Sequence, residues 1–238
     1  MGYIHGLIKY TPRPIINIFK SFYGKFSNKY SGELLYWKTR FEMENGKFGN
    51  EHYKKLMLAM ADNEDDCFVQ NKIVADFGCG PRGSLAWAKS AKLRIGIDVI
   101  ADKYAEEFKD NIINHDMIYL KSTENVIPLP SNFVDIMFTL NAIDHVDSFG
   151  VMCKEVIRVI KPGGLFIGSF NLEEPPTLNE PQSLNEDLIK RNLLDNFQIL
   201  NYRLSRKGPK EDLYKYFYSN ELSYDKGEEG FLWVTAKK

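Results

Sequence analysis

Cysteine is scarce and unpatterned. Cys67, Cys79 and Cys153 are far apart, odd in number and show no C-x-x-C spacing, which argues against a disulfide scaffold and a structural zinc site. Free thiols fit a reducing cytoplasm, the location expected for the chain. Only four histidines occur, and none shows metal-ligand spacing such as H-x-x-x-H, so no metal site is expected. No apolar run approaches the roughly 18 residues of a membrane helix. Met1 to Tyr10 lacks the unbroken apolar core of a signal peptide. Stable membrane insertion is therefore not expected. Net charge is also lacking, at −1 over 238 residues. A nucleic-acid partner is not expected from such a balance. Oligomeric state leaves no mark on the sequence.

What the chain does have is a change of character near residue 70. Residues 1–70 read as a helical extension rich in aromatics, from Phe19 and Phe22 to Trp37 and Phe41. Ser31 followed by Leu34, Leu35 and Trp37 marks a helix start, and a second helix is expected from His52 to Ala61. The basic residues Lys9, Arg13, Lys20, Lys25 and Lys29 form a solvated helix face or touch an acidic membrane surface.

Residues 71–238 alternate strands with helices, the pattern of a parallel sheet. Strands are expected at Ile73–Asp76, Leu93–Asp98, Ile112–Asp116, Phe133–Leu140 and Leu165–Phe170. The third of them ends in His115-Asp116-Met117. Helices are expected at Asp102–Lys109 and Val151–Ile160. The proline-bearing stretch from Asn171 to Gln182 is a loop. Ser183 then opens a helix, with Glu186 completing a capping box. Gln198–Ser205 and Phe231–Ala236 are two further strands, with no assignable structure from Arg206 to Gly230. The fold class is α/β: a three-layer sandwich around a seven-stranded, mostly parallel sheet whose last strand is antiparallel.

The first strand runs into Asp76-Phe77-Gly78-Cys79-Gly80-Pro81-Arg82-Gly83. Glycines there allow a tight turn and let backbone amides approach a ligand. Asp98 ends the next strand, 20 residues after Gly78, where a carboxylate can accept both ribose hydroxyls of an adenosine. The same spacing spells the G-x-G-x-x-G fingerprint of dinucleotide sites, so the loop alone leaves two cofactors open. Asp76 separates them, because a carboxylate beside the loop repels a pyrophosphate but attracts a cationic amino-acid group.

In this acid-x-Gly-x-Gly loop, the ribose acid, the acid at Asp116, the Asp144-His145-Val146 stretch and the Lys161-Pro162-Gly163-Gly164 turn, the chain resembles class I S-adenosylmethionine (SAM)-dependent methyltransferases. The resemblance covers about residues 72–170. It implies a methyltransferase that uses SAM and releases S-adenosylhomocysteine. It also implies that Gly78 and Gly80, oriented by Asp76, line the amino-acid end of the cofactor. Asp98 then holds the ribose, and Asp116 with Met117 the adenine. The chain departs from the family where a third glycine often stands, at Arg82. The alternatives are a non-enzymatic SAM-binding subunit and an NAD-dependent oxidoreductase, the latter leaving Asp76 and the Lys161–Gly164 turn unexplained.

Methyl transfer from a sulfonium can draw much of its acceleration from orientation. A hydroxyl acceptor also needs a base. His145, at the carboxyl edge of the sheet, is the candidate base, or else it orders its loop. Asn141 is expected to contact cofactor or substrate, or to cap the next helix. Tyr36 and Trp37 are expected to wall an acceptor pocket, and Arg40 and Arg82 to grip an anion there. Packing and surface ion pairs are the competing roles for these residues. The expected acceptor is a small molecule modified on oxygen, of the kind found in surface-glycan or natural-product pathways. Lys38, Arg40 and Arg82 motivate a phosphorylated or nucleotide-linked sugar. Acidic residues beyond the sulfur would instead suit an amine or sugar hydroxyl.

Overall fold

The computed structural model describes residues 29–177 and 179–238. Lys9, Arg13, Lys20, Lys25 and the aromatics from Phe19 to Phe26 lie outside them. Seven strands form one sheet: β1 Ile73–Phe77, β2 Leu93–Asp98, β3 Ile118–Lys121, β4 Val134–Leu140, β5 Ile160–Leu172, β6 Gln198–Arg206 and β7 Gly230–Lys237. Their order is β3-β2-β1-β4-β5-β7-β6. β1 to β5 pair in parallel, and β7 runs antiparallel between β5 and β6.

The central strands are continuous apolar runs because both faces of the sheet are covered. On one face, helix α5 (Phe149–Val159) buries Met152, Cys153, Val156 and Val159, and leaves Lys154 exposed. That spacing is the stripe of an amphipathic helix. Helix α6 (Glu186–Asn192) adds Ile189 to the same cluster. On the other face, helix α2 (Glu51–Ala61) packs Leu56, Met57 and Met60 against Val74, Ile136, Phe138 and Trp233. Helix α1 (Lys29–Met43) buries no residue completely. Its Leu34, Trp37 and Phe41 lean on a third cluster of Phe48, Ile100, Tyr104 and Phe108, in which helix α3 (Ala101–Glu107) supplies Tyr104.

Polar residues inside apolar segments tie neighbouring elements together. Asp135 interrupts β4 and accepts hydrogen bonds from the backbone of Ile73 and from Lys161, each at 2.7–2.8 Å. The Lys161–Gly164 turn is a local excursion within β5: Ile160 pairs with Val134, and Leu165 with Ile136. Arg158 on α5 donates to the carbonyls of Ile127 and Leu129, and Glu155 accepts from the Ile127 amide. These bonds fix the crossover into β4.

Two local expectations are corrected, and a third stretch that had no assignment gains one. Residues 112–116 are not a strand. Helix α4 (Lys109–Ile112) and a turn of 3₁₀ helix over Ile113–His115 occupy this stretch, and Asp116 adopts a left-handed conformation with φ 53°. Such a φ cannot continue a strand and suits the short polar side chain of aspartate. The third strand starts two residues later. Secondly, Asn185 caps α6, accepting from the Leu188 amide, so the helix opens after Ser183. Thirdly, residues 206–230 contain one short helix, α7 (Lys215–Tyr218), whose Phe217 stacks on Trp233 at 4.1 Å. Residues 78–92 form turns, in keeping with the poor helix propensity of Gly78, Gly80, Pro81 and Gly83.

Candidate functional site

The strand order reverses between β1 and β4, and at such a switch point the loops leaving the carboxyl ends of the strands part to form a crevice. A cavity of about 540 Å³ lies there. Gly78 and Gly80 from the loop after β1, Asp98 at the end of β2, and Asn141 and His145 from the loop after β4 line one side. Tyr30, Glu33, Tyr36 and Trp37 of α1 line the other, with Tyr53 of α2 and Glu180 of the loop before α6. The expected positions Gly78, Gly80, Asp98, Asn141, His145, Tyr36 and Trp37 are thus brought together.

Backbone demands explain the two glycines. Gly78 has φ +75°, and a Cβ there would stand 2.1 Å from that of Ala142. Gly80 has φ +56°, and a Cβ there would meet the Trp37 indole at 2.8 Å. The indole therefore lies directly on the glycine loop. Its N–H donates to Glu33 Oε1 at 2.7 Å, and its edge contacts run to Phe48 and Tyr104.

Asp98 is buried and accepts two backbone bonds of 3.1 Å, from Gly80 N–H on Oδ2 and Ile100 N–H on Oδ1. Burial pushes its carboxyl up to about 6, against the pull of those two amides. Asp76 lies just behind the loop, where Ser84 donates to Oδ2 while Oδ1 is buried without a partner. Burial, helped by the charge of Asp98, pushes Asp76 up to about 7. Two desolvated carboxyls this close favour the arrival of a cation or of hydroxyl donors.

His145 closes a turn of 3₁₀ helix over Ile143–His145. Its Nε2 stands 3.4 Å from Glu180 Oε1 and 3.9 Å from Asp144 Oδ1. Burial pulls the imidazole down, but the bond to Glu180 and the charges of Asp144 and Glu33 outweigh it and bring the group to about 9. Burial raises Asp144, whose Oδ2 accepts from Asn171 while Oδ1 has no partner. Asn141 has φ +47°, donates from Nδ2 to the Tyr214 hydroxyl at 3.2 Å, and keeps a buried, unpartnered Oδ1.

Four expected site residues stand elsewhere. Asp116 and Met117 are corrected with the strand that carried them. The Asp116 side chain is 90% exposed and pairs with Arg94, and Met117 packs into the core beside Gly96. Arg40 pairs with Glu44 at 3.5 Å. Arg82 is 6% exposed. Its guanidinium binds Glu44 and the Gly49 carbonyl and lies over the Trp37 and Phe48 rings, clamping the α1–α2 loop to the glycine loop. Lys38 pairs with Glu107 at 2.6 Å. The cations expected to grip a phosphate are thus held outside the cavity.

Sequence reasoning missed Glu124, Glu180 and Tyr53. Glu124 follows β3, accepts from Lys29 and Tyr30, and reaches the cavity. Moving the third strand to Ile118–Lys121 brings Glu124 to the carboxyl edge of the sheet. Glu180 sits in a proline-bearing loop that carries no periodic signal.

Residues 75–168 match a family model described as "Methyltransferase domain". A malonyl-[acyl-carrier protein] O-methyltransferase of Enterobacter lignolyticus is 30% identical over 93 residues, 39% of this chain and 36% of that protein. An uncharacterized methyltransferase of Mycobacteroides abscessus is 29% identical over 107 residues, 44% of this chain and 41% of that protein. The chain thus covers less than half the length of these two relatives. Among solved structures, a SAM-dependent methyltransferase from Mesorhizobium loti superposes with a TM-score of 0.54 at 17% identity. The match covers 71% of this chain and 92% of that one.

Proposed function

We propose, from the match of residues 75–168 to a methyltransferase domain, that the chain is a class I, SAM-dependent enzyme that transfers a methyl group from SAM to the oxygen of a small acceptor. The observation that carries the reading is the cavity joining the glycine loop, Asp98 and His145 beneath α1. Residues 1–70 serve in it as a substrate-binding cover on the domain of residues 71–238. Support for that role comes from Tyr36 and Trp37, which wall the cavity from the helical side.

The residues present fit SAM. Asp98 spends one lone pair per oxygen on backbone amides and keeps the rest for a ribose diol. Gly78 leaves backbone exposed where an amino-acid moiety would lie, and behind it Asp76 Oδ1 has no hydrogen-bond partner among the described residues. When bound, SAM supplies a methyl carbon on a cationic sulfur, open to in-line displacement. His145 takes the acceptor's proton, Glu180 and Asp144 hold the imidazole, and Trp37 keeps water from the glycine loop.

Calorimetry tests the cofactor assignment. SAM and S-adenosylhomocysteine bind, NAD(H) does not, and Asp98→Ala weakens binding by about 1–3 kcal/mol, the scale of a lost buried charged hydrogen bond. Tight NAD binding without SAM binding overturns the reading. Unchanged affinity in a folded Asp98→Ala variant removes that residue from the site.

A further inference from the structure

The acceptor half of the cavity has a sign. Glu33 and Glu180 face it from the side of α1, and Glu124 stands at its edge. Two carboxylates back it: Asp144, 4% exposed, with Oδ1 3.9 Å from the His145 ring, and Asp76 behind the glycine loop. Among the described lining residues the only lysine is Lys29, and none is arginine. Lys29 is committed to Glu124 at 2.8 Å and Asp147 at 3.1 Å. His145, the other basic group, already meets Glu180 and Asp144. Asn141 contributes a buried acceptor oxygen that meets no donor among the described residues.

Two consequences follow. A phosphate or carboxylate in this space finds no free cation among the described residues and sits within reach of like charges. An ammonium group finds carboxylates, the Asn141 carbonyl and the aromatic side chains of Tyr30 and Tyr36 among the lining residues, groups of the kind that bind organic cations. The positive charge of SAM does not cancel this bias, because Asp98 lines that end of the cavity.

On the reading that this cavity holds SAM, we infer that the methyl acceptor is an amine-bearing compound, protonated when it binds, and neither a phosphate ester nor a carboxylate. Its hydroxyl is directed at His145 and its ammonium lies between Glu33 and Glu180. This differs from the carboxylate acceptor implied by the name of the malonyl-carrier relative.

Matched phenols test the sign. The full chain, saturated with S-adenosylhomocysteine, is titrated with tyramine, 4-hydroxyphenylacetate and neutral 4-methylphenol. Tyramine is expected to bind at least about tenfold more tightly than 4-hydroxyphenylacetate, with 4-methylphenol between them. Glu33→Gln/Glu180→Gln is expected to shrink that preference to within about threefold, while the affinity for S-adenosylhomocysteine changes less than about twofold. Equal or reversed preference, no tyramine binding at about 10 mM, or a preference that survives the double variant overturns the inference. The S-adenosylhomocysteine titration reports separately on the cofactor assignment, since its failure leaves the amine preference measurable on the free protein.

Discussion

His145→Ala is expected to lower kcat by about 10²–10⁴-fold, the range that a positioned general base contributes. The pH dependence identifies the mechanism. With the group held at about 9, only about one molecule in a hundred carries a neutral imidazole at pH 7, so kcat/KM should climb with pH through a midpoint near 9. The sign can be checked from its neighbours. Glu180, Asp144 and Glu33 favour imidazolium, and burial alone opposes it. Removing one carboxylate must lower the midpoint. Glu180→Gln should therefore move the rise toward neutrality, leaving a larger share of plateau activity at pH 7. A bound ammonium acts in the same direction by repelling the imidazolium, so kcat should turn over at lower pH than kcat/KM. Full activity in His145→Ala, or a Glu180→Gln profile shifted upward, sinks the assignment.

The second large effect is expected at Gly78. An alanine there carries the left-handed strain of φ +75°, worth roughly 1–2 kcal/mol. It also places its methyl 2.1 Å from Ala142 Cβ, far inside the 3.5–4.0 Å optimum of carbon contacts. The loop after β4 must move outward, taking Asn141 and His145 with it. Gly78→Ala should weaken S-adenosylhomocysteine binding at least tenfold, and lower Tm by about 2–8 °C, at roughly 2–4 °C per kcal/mol for a domain of this size. Adding Ala142→Gly removes the clash and leaves the strain, so a double-mutant cycle should show partial rescue of both readouts. An unshifted Tm with native affinity, or no coupling between the two sites, contradicts the geometry.

The parts of this arrangement that could be read in advance are those written in local chemistry. β1, β2 and β4 are short β-branched runs ending beside an acid or a polar loop, and the glycine loop and Asp98 read from the sequence line the cavity. β3 shows where that logic fails. Ile112–Asp116 has the same apolar-then-acid form, but Asn111, Asn114 and the left-handed Asp116 turn it into helix and bend. The true strand is an edge strand with little buried surface, so its apolar pattern is faint. The adenine-side acid drawn from the resemblance moved away with it. Arg40 and Arg82 failed for another reason. Charge is legible in a sequence, but the partner that neutralises it is not, and Glu44 claims both arginines from across the α1–α2 loop. Glu180 was invisible on the same ground, because only folding brings it to His145.

The position of β7 governs how the sheet assembles. Among the described residues β6 has β7 as its only ladder partner, and β7 buries Phe231, Leu232, Trp233 and Val234 between β5 and β6. Residues 198–206 therefore cannot join the sheet until residues 230–237 slot in beside β5. The half carrying the glycine loop can pair earlier from neighbouring segments, while this side closes late through contacts distant in sequence. Native-state hydrogen exchange should show the amides of β6 and β7 opening as one cooperative unit, distinct from β1 and β4. Separate protection for β6 with β7 open would refute this order of assembly.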